Sequence, residues 1–133
     1  MVQYINITSR SRSELIDITG MVEELVRKAG VSSGVCHLFS LHTTGAITVN
    51  EGADPSVQRD IAAFLKRLVP VDAGFIHEEG NSDAHVKTAL AGPSQALIIE
   101  GGRLLLGTWQ AIFFCEFDGP RSRKVAVKIV GDS

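Results

Sequence analysis

The sequence predicts an α+β fold: a single domain with a curved, barrel-like, mostly antiparallel sheet of about seven strands and two to three helices. Three observations carry this. Strand-like runs come in consecutive groups rather than in strict alternation with helices, which favours an antiparallel sheet over a doubly wound one. Few stretches place apolar residues at helical spacing, so helices cannot cover both faces of so much sheet. No repeat, linker-like run or low-complexity segment divides the 133 residues, and that length suffices for one core.

Composition sets further bounds. The chain is 44% hydrophobic and 21% charged, with a net charge of -2. A general nucleic-acid binder would need a basic surplus, so no nucleic-acid partner is expected. No apolar run approaches the roughly 20 residues that span a bilayer, so no membrane partner is expected. The start, Met1-Val2-Gln3-Tyr4, has neither the basic nor the apolar region of a signal peptide. Cys36 and Cys115 both lie in apolar strand-like runs and lack the spacing of a zinc site, so they read as free buried thiols. Together these features predict a cytoplasmic location.

Residues 2–8 are rich in β-formers and read as a first strand. A polar turn over 9–13 follows, and Glu14–Ile18 reads as a second strand. Thr19 offers a helix cap, Val22, Leu25, Val26 and Ala29 form one apolar stripe, and Gly30 ends the helix. Residues 34–42 alternate: Val35, His37, Phe39 and Leu41 share one face, and Cys36, Leu38, Ser40 and His42 the other. His37, among large apolar neighbours, reads as a packed structural histidine. His42, at a strand end beside Thr43-Thr44-Gly45, reads as a site candidate.

Another strand covers 46–50. Asp54-Pro55 then starts a helix, the aspartate as cap and the proline in its first turn. Val57, Ile61, Phe64, Leu65 and Leu68 are its expected core stripe, and Pro70 ends it. A short helix is predicted over Val86–Leu90, with Asp83 as a possible cap, closed by Ala91-Gly92-Pro93. Runs at 95–100 and 103–107 flank Gly101-Gly102, a two-residue hairpin turn. Residues 107–118 are apolar enough for a central strand. Trp109, Ala111, Phe113, Cys115 and Phe117 lie on one face, and Gln110, Ile112, Phe114 and Glu116 on the other. A turn at Asp118-Gly119-Pro120-Arg121 leads into the last strand, with Val125, Val127 and Ile129 inward.

One stretch has no structural excuse. His77-Glu78-Glu79-Gly80-Asn81-Ser82-Asp83-Ala84-His85 holds two imidazoles, three carboxylates and an amide, with no large apolar side chain. It is a solvated loop or a site. Imidazoles bind metals and move protons near neutral pH. His42, His77 and His85 are therefore candidates to surround one divalent metal ion, zinc first, with an open position. Asn81 and Asp83 would orient a ligand, a water or a histidine. Asn50 and Gln110 are amides suited to reading a heterocycle, and Trp109 could stack on it, although core packing explains Trp109 as well. Glu116 is a candidate general base or an ion-pair partner. Arg121 and Arg123 suit a phosphate, or a salt bridge with Asp118.

Four segments carry a resemblance: His42-Thr43-Thr44-Gly45-Ala46-Ile47-Thr48-Val49-Asn50-Glu51, the segment from His77 to His85, Leu106-Gly107-Thr108-Trp109-Gln110, and Glu116-Phe117-Asp118-Gly119-Pro120-Arg121-Ser122-Arg123. In this order and spacing, over essentially the whole chain, they resemble the YjbQ family, also called the secondary thiamine-phosphate synthase family. The resemblance implies a barrel-like single domain assembled as a homotrimer, with a polar pocket and histidine-bound metal in some members. It also implies a weak thiamine-phosphate synthase activity. That reaction joins a pyrimidine methyl diphosphate to a thiazole phosphate and releases pyrophosphate, with Asp83, Asn81 and Glu116 as catalytic candidates here. Two functions follow as expectations: a metal-assisted enzyme on a small phosphorylated or heterocyclic ligand, or a trimeric metal- or ligand-binding protein without turnover.

Overall fold

The computed structural model describes residues 1–132. In chain order the elements are β1 (Gln3–Thr8), β2 (Glu14–Asp17), α1 (Thr19–Ala29), β3 (Ser33–Ser40), β4 (Gly45–Glu51), α2 (Pro55–Leu68), α3 (Ser82–Ala91), β5 (Ser94–Glu100), β6 (Arg103–Leu104), β7 (Gln110–Glu116) and β8 (Ser122–Gly131). A five-stranded sheet has the order β1-β8-β3-β5-β6, and a three-stranded sheet the order β2-β7-β4. Every pairing is antiparallel. The two sheets curl into a half-barrel. At the corner between them the Ser40 hydroxyl donates to the Gly45 carbonyl (2.8 Å), and Gln95 Nε2 donates to the Ile47 carbonyl (3.0 Å).

The main core fills the space between the sheets and α1. Ile18, Val22, Cys36, Leu38, Ile47, Ile99, Ile112, Phe114 and Val125 are all fully buried in it. A smaller cluster, Ala46, Ala84, Cys115 and Phe117, lies where the second sheet meets the helices, with Leu15, Leu65 and Ala91 against it. Strand β7 serves both clusters, because alternate side chains leave opposite faces of a strand. It is the central strand of its sheet, as its apolar length predicts. Both cysteines are free and buried, and burial pushes their thiols up to about 11 for Cys36 and about 12 for Cys115. Gly45 is tied to its place by packing, since a Cβ there would meet the Phe114 ring at 2.3 Å.

Several elements differ from their sequence-based prediction. Thr19 does not cap α1: the Asp17 carboxylate accepts from Thr19 N–H (2.9 Å), while the Thr19 hydroxyl accepts from Ile112 N–H (2.8 Å) and stitches the helix to β7. On β3 the inward face is Gly34, Cys36, Leu38 and Ser40, so His37 is exposed and Phe39 stands 49% exposed. The packed position expected for His37 is therefore not found, because the buried face of β3 is the opposite one. No residue of α2 is buried, and Phe64 and Leu68 are more than half exposed. Helix α3 starts four residues earlier than predicted, so Asp83 lies inside its first turn and Asn81 stands at the cap.

Candidate functional site

A hollow of about 750 Å³ opens where the ends of β3, β7 and β8 meet the start of α3. His42, His77, Asn81, His85, Arg121 and Arg123 line it, with Thr43, Thr44, Glu79 and Asp118. The three histidines picked out in the sequence therefore do share one polar space. His42 arrives from the β3–β4 connection, His77 from the loop after α2, and His85 from the first turns of α3. His77 and His85 also border a neighbouring recess of about 790 Å³ walled by Phe75, Ile76 and Val86.

His42 has a defined hydrogen-bond state. Lys124 N–H of β8 donates to its Nε2 at 2.8 Å, so the imidazole stands in for a carbonyl where β3 ends. An accepting Nε2 carries no proton, which leaves the proton of the neutral ring on Nδ1. Burial, then the positive charges of Arg123 and Arg121, lower the His42 pKa, and this keeps the neutral form; Glu116 opposes them.

Beneath the histidines lies a floor of ion pairs. Glu116 is fully buried and bonded twice by Arg123, from Nε to Oε1 at 2.7 Å and from Nη2 to Oε2. Arg123 also donates to the Thr44 hydroxyl (2.9 Å) and carbonyl (3.2 Å). Burial raises the pKa of Glu116, but bonds from Arg123, Ser9 and the Asp118 N–H outweigh it and hold the carboxyl low. Asp118 accepts from Asn81 Nδ2 (2.8 Å) and Arg121 Nη2 (3.0 Å), and its pKa is likewise lowered against the effect of burial. The buried Oδ1 of Asn81 has no hydrogen-bond partner. Gly119 lets the 118–121 turn close on this floor: a Cβ there would meet the Ser11 carbonyl at 2.2 Å.

Asp83 does not line the hollow. It is fully buried and faces Arg12, whose Nη1 and Nη2 each donate to one carboxylate oxygen at 3.1 Å. Lys87 Nζ donates to the same carboxylate at 3.2 Å. These bonds outweigh burial and lower its pKa. Asp83 and Glu116, catalytic candidates in the sequence, are thus both fully buried and paired with cations, Asp83 anchoring α3 to Arg12 and Glu116 holding Arg123. Arg12 was missed from the sequence, because an arginine in a serine-rich turn, alongside Arg10, gives no sign of a partner 71 positions away. Thr44 stood inside the motifs without an assigned role, and the salt bridge expected between Asp118 and the neighbouring arginines is made by Arg121 (3.0 Å).

Asn50, Trp109 and Gln110 lie elsewhere in the chain. Gly45 faces Glu116 at the hollow end of the β4–β7 pairing, while Glu51 faces Gln110 at the other. At ~3.4 Å per residue that is about 20 Å away. Gln110 accepts from Gly107 N–H (2.7 Å), Asn50 from Glu51 N–H (2.7 Å), and Trp109 is 64% exposed. Trp109 is thus neither core nor part of the hollow within one chain.

The donors decide how a metal would fit. The rings of His77 and His85 have centroids 5.5 Å apart, at 86°. Two imidazoles on one tetrahedral zinc, with Zn–N bonds of ~2.0–2.1 Å, hold their centroids about 5 Å apart, so the spacing of this pair, though not by itself the direction of its nitrogens, matches shared coordination. His42 does not join it, because neither of its nitrogens offers a free lone pair. Among the described residues no three His, Cys, Asp or Glu side chains converge to hold an ion. The three-histidine shell expected from the sequence is not formed within the chain.

Fold and site together define a small single-domain α+β protein with a histidine- and arginine-lined hollow at one end of a half-barrel. Comparison with known proteins gives the family. The family described as UPF0047 protein YjbQ-like matches residues 3–132, and the chain belongs to it. The chain is 52% identical over 126 residues to UPF0047 protein MJ1081 of Methanocaldococcus jannaschii, covering 95% of this chain and 91% of that one. It is 44% identical over 132 residues to UPF0047 protein YugU of Bacillus subtilis, covering 98% and 100%. The crystal structure of an uncharacterized YjbQ/UPF0047 protein from Clostridium acetobutylicum superposes with a TM-score of 0.95 at 49% identity, covering 96% and 99%.

Proposed function

We propose that the hollow binds a small phosphorylated heterocycle and that the protein is a small-molecule enzyme with a weak thiamine-phosphate synthase activity. The observation that carries this is the convergence of His42, His77 and His85 with Arg121 in one hollow beside an apolar recess. In such a reaction diphosphate leaves the pyrimidine methyl carbon and the thiazole nitrogen attacks it. The protein's task is to hold the rings in line and spread the charge of the leaving group. Arg121 is the exposed cation of the hollow, and Asp118 aims it by taking one of its nitrogens. His42 offers the Nδ1 proton of its neutral ring. The recess walled by Phe75, Ile76 and Val86 suits an apolar ring. A divalent ion, zinc first, is proposed on His77 and His85 alone, where it would add positive charge beside a phosphate.

A homotrimer belongs to this reading. One apolar surface is the outer face of the five-stranded sheet, with Tyr4, Phe39, Ile98 and Val130, and another is the Phe64–Leu68 side of α2. Two unlike apolar surfaces on one chain are what a head-to-tail ring needs. A second reading is a ligand-binding protein without turnover, and the pairing of both candidate catalytic carboxylates favours it. A single-turnover assay with the pyrimidine diphosphate and the thiazole phosphate separates them. The enzyme reading expects product from the wild type and none from Arg121→Ala or His85→Ala. Equal product from all three refutes it, and ligand binding by calorimetry without product supports the second reading.

A further inference from the structure

We propose that a second recess, between the Ser11–Ser13 turn, α2 and α3, is an anion site that takes a phosphate monoester. It measures about 490 Å³ and is lined by Ser11, Arg12, Ser13, Lys66, Val71 and Lys87, with Ala62 and Ala63. It shares no lining residue with the histidine hollow.

The charges in this wall do not balance. Arg12 and Lys87 both bond the one carboxylate of Asp83, and Lys87 is 2% exposed. The nearest further carboxylate to Arg12, Asp118 at 3.9 Å, lies closer to Arg121 at 3.0 Å. Arg12, Lys66 and Lys87 thus face Asp83, with Glu14 held on the Ser11 N–H (2.8 Å), an excess of one positive charge. A buried cation short of a counter-charge is costly, and an anion removes the cost.

The donors are also unspent. An ammonium carries three N–H groups. Lys87 gives one to Asp83, and the Phe117 ring, 5.9 Å from Nζ, is the apolar neighbour on another side. Arg12 gives Asp83 two of its five N–H bonds. Ser11 and Ser13, which also line the recess, add two hydroxyls to the donor set. Tetrahedral oxyanions are bound by such a mixture of guanidinium, ammonium and hydroxyl donors. Ala62, Ala63 and Val71 form the rest of the wall and leave room for a compact apolar body, which selects a monoester over free phosphate.

The test titrates the full-length chain with phenyl phosphate, and in parallel with inorganic phosphate, by calorimetry at constant ionic strength. Lys66 is exposed, so Lys66→Ala leaves the fold intact. The proposal expects Lys66→Ala to weaken one phenyl phosphate binding event by about tenfold, the loss of one charge-assisted contact. Lys87→Met should abolish that event, and His85→Ala, which alters only the histidine hollow, should leave it unchanged. Phenyl phosphate should bind more tightly than inorganic phosphate. Binding that survives in Lys66→Ala at wild-type strength, or that vanishes in His85→Ala, overturns the site. Failure of the proposed turnover leaves this event in place, so the two ideas fall separately.

Discussion

The histidines that line the hollow and the carboxylates that underlie it come from the same motifs but do different work. His42, His77 and His85 face an open space, whereas Asp83 and Glu116 are sealed and bonded to cations. The comparison teaches that in this chain polar residues in a suggestive run divide by partner rather than by type. Where a cation from elsewhere in the sequence reaches a carboxylate, that carboxylate becomes structure. Where none reaches an imidazole, it stays available to a ligand.

The largest expected effect breaks the sealed layer. Asp83→Asn and Glu116→Gln each leave buried cations without their counter-charge, and each should cost about 3–5 kcal/mol of stability by urea unfolding. A loss below about 1 kcal/mol, the range of exposed pairs, would mean these carboxylates are not the anchors described. The pH dependence comes next. The folded-state pKa values of Asp83, Glu116 and Asp118 are lowered, so their stabilisation is full above the unfolded values of about 4 and is lost as pH falls through the folded values. His42 is also lowered, so its share is full above about 6.5 and begins to fade below that. Melting temperature should fall monotonically on acidification, and His42→Gln should flatten the first part of the fall. A rise in melting temperature between pH 7 and 5 would contradict the neutral, accepting state of His42.

A smaller effect sharpens the contrast along the β4–β7 pairing. Trp109→Ala should change stability by less than about 0.5 kcal/mol and leave ligand affinity in an isolated protomer unchanged. Light scattering on Phe39→Asp checks the assembly: the trimer reading expects smaller particles, and an unchanged mass counts against that face as the contact.

The fold was legible where periodicity and turn chemistry agree. Gly101-Gly102, both at positive φ, Asp54 capping α2 and the apolar length of β7 all gave their elements directly. The failures have physical causes. β3 has apolar residues on both faces, so alternation alone could not choose its inward side. The stripe of α2 was visible, yet the rest of the chain offers too little surface to bury it. The hollow was legible as a set of imidazoles because histidines are few and stood in a run without a core function. The pairing of Asp83 with Arg12 and of His42 with Lys124 N–H was not, since each joins positions 71 and 82 apart.

The most direct test of the hollow uses the chain's four histidines, one of which is a built-in control. His37 lies exposed on the outer face of β3, away from the other three. Imidazole proton resonances can be followed by NMR while thiazole phosphate is added. His42, His77 and His85 should shift together along one binding curve, with His37 unmoved. Shifts confined to His37, or absent from all three hollow histidines at saturation, would contradict the account.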